Sequence, residues 1–145
     1  MPEAAHHPVH VFPVRVYYED TDAAGIVYYA NYLKFAERAR TELLREHGIS
    51  NRALHEKEGV AFAVRRLSAE YLAPARLDDH LEVRTRITGV HGAAIEAQQD
   101  VVREGRDLAR LTLTLACVAR TGRPTRLPAA VVAAFESGTT KRSVI

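Results

Sequence analysis

Hydrophobic positions along the chain follow two periods, and the order of those periods gives the order of the elements. Val14 and Val16 flank Arg15 in a stretch running to Tyr18, the alternation of a strand with one buried face. From Tyr32 to His47 the period lengthens. Tyr32, Phe35, Ala36, Ala39, Leu43 and Leu44 fall on one side of a helix, while Lys34, Glu37, Arg38, Glu42, Arg45 and Glu46 occupy most of the remainder. Asn31 is the expected N-cap. At the other end Gly48 suits a left-handed C′ position, which makes Leu44 and Ile49 the apolar pair of a Schellman stop.

Beyond a polar link from Ser50 to Gly59 the period falls to two. Val60, Phe62 and Val64 alternate, then Leu67, Ala69 and Tyr71 continue in the opposite phase, so a bulge is expected near Arg65 and Arg66, with Pro74 closing the strand. Leu81, Val83, Thr85 and Ile87 form the next strand. After a turn at Gly89 to Gly92, Ile95, Ala97, Gln99 and Val101 oppose Glu96, Gln98 and Asp100. A second turn at Glu104 to Asp107 leads to Ala109, Leu111, Leu113, Leu115, Cys117 and Ala119 on one inward face. Pro128 opens a short helix ending at Phe135. The whole chain, 1–145, reads as one domain with flexible ends at 1–12 and 137–145.

Short turns between strands imply antiparallel neighbours, so the fold class is α+β: a curved five-stranded antiparallel sheet with one long helix covering its apolar face. Such a sheet keeps two free edges and an incompletely covered face. Self-association is the expected remedy.

Composition removes several function classes. The net charge is only +2, and no basic stripe interleaved with aromatics is present, which argues against a nucleic-acid partner. The chain has 17 Arg against 3 Lys, and Arg is the side chain that clamps phosphates. A GC-rich genome would raise Arg and Ala together and explains this as well. Cys117 stands alone, no signal segment opens the chain, and no apolar run reaches the ~20 residues of a membrane span, so a cytoplasmic, non-integral protein is expected. His6, His7 and His10 surround Pro8, which interrupts the helix that would align them. No metal site is expected there.

The stretch from Glu19 to Asn31 has an odd composition for a connection: three carboxylates, a glycine, then an apolar run. As a calcium loop it places Asp20, Asp22 and Gly25 suitably, but Ala24 sits where a ligand belongs and Asn31 replaces the closing Glu. Paired phosphatase aspartates would need a doubly wound domain, which the strand-rich second half leaves no room for. No elbow suits a serine or cysteine nucleophile, and Cys117 lies inside an apolar alternation. What remains is a carboxylate used directly. Near the helix start the amides of Tyr29 and Ala30 can receive a developing oxyanion, Asp22 can act as general base or nucleophile on an acyl carbon, Gly25 makes the turn, and Ile26, Val27 and Tyr28 can line an acyl pocket.

The run Val16 to Tyr32, with Glu37-Arg38-Ala39-Arg40-Thr41-Glu42 and Glu70 to Asp79, resembles the signature of the hydroxybenzoyl-CoA thioesterase family of hot-dog-fold enzymes. Within it the chain is most similar to the bacterial acyl-CoA thioesterases encoded with the Tol-Pal envelope system. The resemblance implies a hot-dog sheet wrapped around the central helix, hydrolysis of an acyl-CoA thioester without metal or other cofactor, and a homotetramer built as a dimer of hot-dog dimers. It also carries an association with lipid or envelope machinery. The family's catalytic aspartate falls on Asp22 and its oxyanion amide on Tyr29. Hydroxybenzoyl members carry Tyr at that position and Tol-Pal-associated members usually His, which leaves aromatic and aliphatic acyl groups both open. Arg123 and Arg126 match the family's basic positions for the CoA nucleotide, and a solvated turn accounts for them equally.

Rival readings are few. Glu37 and Glu42 are the nearest alternative carboxylates, but they suit pairing with Thr41, Arg38 or Arg45 on an exposed helix face. Asp20 suits a loop-stabilising acceptor and Asp78-Asp79 a turn. A dehydratase would need a His on the loop or helix, and His47, His55, His80 and His91 lie elsewhere. A non-catalytic acyl-binding or envelope-associated module on the same fold is the alternative from another class. It would have no use for a carboxylate beside an apolar pocket.

Overall fold

The computed structural model describes residues 8–144, with side chains from 8 to 136, and places five strands in one antiparallel sheet. The strands are β1 (His10–Arg15), β2 (Val60–Tyr71), β3 (His80–His91), β4 (Ala94–Arg103) and β5 (Arg106–Ala119), in the spatial order β1-β3-β4-β5-β2. Helix α1 (Asn31–Glu46) lies against β1, β3 and β4. A short α2 (Asn51–Ala53) runs into a π turn, Leu54–Glu58, and α3 (Ala129–Val144) ends the chain. This is the expected α+β hot-dog arrangement.

Local chemistry accounts for the connections. Glu104 and Gly105 both have positive φ, at 50° and 80°, and Arg103 pairs directly with Arg106. Two left-handed residues are what a two-residue hairpin needs to match strand twist. In β2 the register shifts between Val64 and Arg66, where the apolar phase reverses. At the end of α1 the amide of Ile49 donates to the Leu44 carbonyl and that of Gly48 to Arg45, the two bonds of a Schellman stop, with Gly48 at φ +75°.

Three expectations are corrected. β1 starts at His10 and ends at Arg15, so 10–12 form strand rather than a flexible end; His6 and His7 lie outside the described residues. Pro13 disguises this strand, but at the sheet edge, opposite Glu82, a missing amide is tolerated. Asn31 is not the N-cap of α1. That position is Ala30, without a side-chain cap, because the Asn31 amide turns back to donate to the Asp20 carbonyl. Finally α3 continues past Phe135 to Val144, since once nucleated a helix adds one backbone bond for each residue fixed; Ile145 is outside the described residues.

Two apolar clusters hold the helix to the sheet, and all six predicted apolar positions of α1 are buried. Tyr32, Phe35 and Ala39 pack with Leu81, Val83, Val101 and Leu108. Ala36, Leu43 and Leu44 pack with Ile95, Leu111, Leu113 and Leu115. Between the clusters sits Gln99, fully buried on β4. Its Nε2 donates to the Ala36 carbonyl and to Thr85 Oγ1, both at 2.9 Å, and its Oε1 accepts from Arg40 at 2.9 Å. A buried amide with both ends engaged fixes how far along the sheet α1 sits.

Candidate active site

The connection from β1 to α1 is a loop whose base and tip are held differently. At the base the Asp20 carboxylate accepts from the Tyr17 amide at 2.8 Å, and the Asp20 carbonyl accepts from the Tyr28 amide at 3.0 Å and from Asn31 Nδ2 at 2.9 Å. Asp20 is thus the acceptor its position suggested. Above it Thr21 bridges Val27, and the Asp22 amide donates to the Ile26 carbonyl at 2.9 Å. The tip closes through the Gly25 amide, which donates to the Asp22 carbonyl, with Gly25 at φ +81° where a side chain would be strained.

Asp22 is exposed at this tip. One carboxylate oxygen accepts from the Ala24 amide at 2.9 Å, and the other has no partner among the described residues. The amides of Tyr29 and Ala30 likewise donate to no described group. Both precede the first residue of α1, at the positive end of its dipole. A free carboxylate oxygen and two free amides therefore share one short loop.

Tyr29 also borders an open cavity of about 320 Å³, whose lining does not include Asp22. Ile26, Val27, Tyr29, Tyr32, Tyr71 and the Leu72–Pro74 segment line it. Tyr28 does not; its ring stands against Tyr29 at 4.8 Å between centroids, outside the lining. Tyr71, at the end of β2, donates its hydroxyl to the Tyr29 carbonyl at 3.1 Å, with its ring edge-on to Tyr29 at 6.2 Å. Tyr32 accepts from the Ala75 amide at 3.0 Å, while the Ala75 carbonyl accepts from Val27. Burial raises the Tyr32 and Tyr71 phenols above their ordinary range, and the Tyr29 phenol adds to the effect at Tyr71. Both remain protonated at neutral pH.

The strap from Pro74 to Asp79 that carries Ala75 is itself fastened. Asp79 accepts from the Arg76 amide at 2.8 Å and from Arg103 at 2.6 Å. Burial alone would raise its carboxyl, but these two bonds together with the charges of Arg103 and Arg76 outweigh burial and set it below the ordinary value. A carboxyl whose folded pKa is depressed stabilises the fold above its unfolded pKa of about 3.9 and loses that contribution as pH falls through the folded value. Asp79→Asn should therefore lower the melting temperature at pH 7, with the difference from wild type shrinking as the pH is taken below about 4. A constant difference across that range would show that charge is not the cause.

The chain brings some predicted residues together and keeps others apart. Asp22, Gly25, Ile26, Val27 and Tyr29 meet around one loop. Arg123 and Arg126 do not join them. Both are exposed just past β5, where Pro124 bridges Val118 and Ala119 pairs with Val60, whereas the opposite end of β2, at Tyr71, touches Tyr29. Along a strand of twelve residues that is roughly 35 Å. Glu37 accepts from Thr41, Glu42 pairs with Arg45 at 3.4 Å, and Cys117 is buried. Tyr32, Tyr71 and the Leu72–Pro74 segment escaped attention as pocket residues. Pairing β2 with β5 delivers Tyr71 to the loop, and local periodicity carries no trace of that pairing.

The family profile of the Thioesterase-like superfamily matches residues 16–135. The acyl-CoA thioester hydrolase YbgC of Escherichia coli is 49% identical over 127 residues, covering 86% of this chain and 94% of its own. The acyl-CoA thioesterase YbgC of Haemophilus influenzae is 46% identical over 125 residues, with 86% and 92% covered. Among solved structures, a probable thioesterase from Bartonella henselae superposes with a TM-score of 0.81 at 37% identity, covering 83% of this chain and all of that one. The hot-dog sheet, the loop at the head of its helix and a match across almost the whole folded chain agree: the protein belongs to the thioesterase-like superfamily.

Proposed function

We propose that the protein hydrolyses acyl-CoA thioesters at the β1–α1 loop, with Asp22 as the acting carboxylate and the Tyr29 amide as oxyanion donor. The observation that carries this reading is the unengaged Asp22 oxygen sharing a loop with two undonated amides at a helix start, beside an apolar cavity. The acyl group enters the cavity against Ile26, Val27 and the aromatic wall, and its carbonyl oxygen points at the amides. Attack at the carbonyl carbon, by water that Asp22 deprotonates or by Asp22 itself, builds negative charge where the helix dipole and amide donors favour it. Coenzyme A leaves as a thiolate; the water route gives the free acid directly, and the Asp22 route leaves an acyl–Asp22 anhydride that water then cleaves to free acid and the Asp22 carboxylate. The relatives named as acyl-CoA thioesterases support the substrate class.

The remote arginines fit the same reading in an oligomer. β2 is an edge strand with Val64 and Tyr71 exposed and Leu72 exposed just past its end, and a second copy laid antiparallel along that edge would carry its own Arg123 and Arg126 toward the loop of the first. There they would meet the CoA phosphates, and two such dimers would make the tetramer. Among the described residues no helix is long and apolar enough to cross a membrane. The buried free thiol of Cys117 fits a reducing compartment such as the cytoplasm.

Thiol release from short-chain, long-chain and aromatic acyl-CoAs tests the assignment. Turnover of at least one class is expected, with KM in the ordinary micromolar to millimolar range, about 1 μM to 1 mM. Saturable binding of acyl-CoA with no turnover on any of them would replace hydrolysis by the acyl-binding module.

A further inference from the structure

The geometry points to Tyr71 as a positioning residue for the reaction, holding the peptide plane between Tyr29 and Ala30 so that the two amides around it stay aimed at the reacting carbonyl. This rests on the reading of the β1–α1 loop as the site of hydrolysis. The Tyr29 carbonyl lies just outside α1, where no helical bond fixes it, and the partner it finds is the Tyr71 hydroxyl at 3.1 Å. A peptide unit is rigid, so anchoring its oxygen restrains the direction of the N–H at its other end, that of Ala30, and limits rotation about the Tyr29 ψ bond that links this plane to the Tyr29 N–H.

Tyr71 is itself well placed to resist movement. Its ring packs on Tyr29 and, at 5.5 Å, on the buried Tyr32. The Leu72 and Ala73 amides that follow it both donate to the Leu108 carbonyl, tying this end of β2 to β5. Oxyanion donors are effective because they need no reorganisation as charge develops. The loop residues Tyr28 to Ala30 lack regular structure of their own, so that stiffness has to come from outside the loop. The contact crosses 42 residues of sequence, and it ties the helix start to the exposed sheet edge.

The test compares Tyr71→Phe, which keeps the ring and removes the bond, with Asp22→Asn, using thiol release from the best acyl-CoA of the panel. For Tyr71→Phe, kcat should fall about tenfold, as expected for loss of one hydrogen bond, with KM within about twofold of wild type, because aim matters most once charge has formed. Tyr71→4-aminophenylalanine returns a donor to the same ring position and should restore kcat. A purely structural role would instead shift the melting temperature and leave kcat of the folded enzyme unchanged. Wild-type kcat in Tyr71→Phe, with Asp22→Asn inactive, overturns the positioning role and leaves the site standing. Full activity in Asp22→Asn removes the site reading and the Tyr71 role with it. If Tyr71→Phe does not fold, the 4-aminophenylalanine and 4-fluorophenylalanine substitutions, which differ in the donor, decide the matter by their kcat ratio.

Discussion

Asp22→Asn is expected to lower kcat for acyl-CoA hydrolysis by about 10²–10⁴-fold, the range for loss of a positioned base, and to leave the melting temperature close to wild type. The two halves of that expectation come from different oxygens. One oxygen of Asp22 accepts from the Ala24 amide at 2.9 Å and shapes the tip of the loop, and an Asn side-chain oxygen can accept the same bond. The other oxygen is unengaged, and in the variant an uncharged NH₂ replaces it. Loop shape should survive while proton abstraction and nucleophilic attack are both lost. The exposure of Asp22 adds to this separation, since no buried partner is stranded by the change. Steady-state thiol release together with thermal melting checks both halves. Undiminished turnover would remove Asp22 from the chemistry, and a large drop in melting temperature would mean that its charge holds the loop.

Phe35→Ala should cost about 3–5 kcal/mol, a large share of the roughly 5–15 kcal/mol that holds a domain together. Phe35 is 1% exposed and stands where α1 meets β1 and β3, with Leu81 and Val83 in its cluster and Tyr32 edge-on at 6.2 Å. Truncation leaves a cavity that rigid strands on one side and a helix pinned by Gln99 on the other cannot close. Urea or guanidinium unfolding of the two proteins measures the loss, and a value near 1 kcal/mol would indicate that the helix can settle inward after all. Activity should fall as well at temperatures where the variant stays folded. Tyr32 loses one of its two ring partners while it keeps Tyr71 and its hydroxyl still carries the Ala75 amide, so the cavity wall loosens on the Phe35 side.

These two residues also show how far the chain could be read before its fold was known. Phe35 belonged to a helical stripe that local spacing displays, as did the Schellman stop at Gly48 and the phase reversal in β2, and each stands where spacing put it. Gln99 was placed on the inward face by alternation alone, although its polarity argued otherwise. At Asn31 a capping residue and a residue bonding back to an upstream carbonyl look identical in sequence; the Asp20 carbonyl that captures its side chain is a tertiary fact. β1 is displaced from the Val14 to Tyr18 that alternation suggests, since Pro13 breaks the pattern of His10–Arg15 and Tyr18–Asp20 forms a 3-10 turn; the cost of Pro13 depends on an edge position that only strand order reveals. The loop from Asp22 to Tyr29 could be singled out because its pieces are contiguous. Its aromatic wall could not, since Tyr71 arrives through pairing between strands far apart in sequence.

Main-chain bonds frame the loop at the head of α1, Asp22 to Ile26, Gly25 to Asp22, Tyr28 to Asp20 and Val27 to Ala75, beside the side-chain bonds of Asp20, Asp22, Asn31 and Tyr71. Replacing the side chains of Ile26, Tyr28 or Tyr29 breaks none of these bonds. Ile26 and Tyr29, which line the cavity, can therefore be exchanged one at a time without disturbing those main-chain bonds.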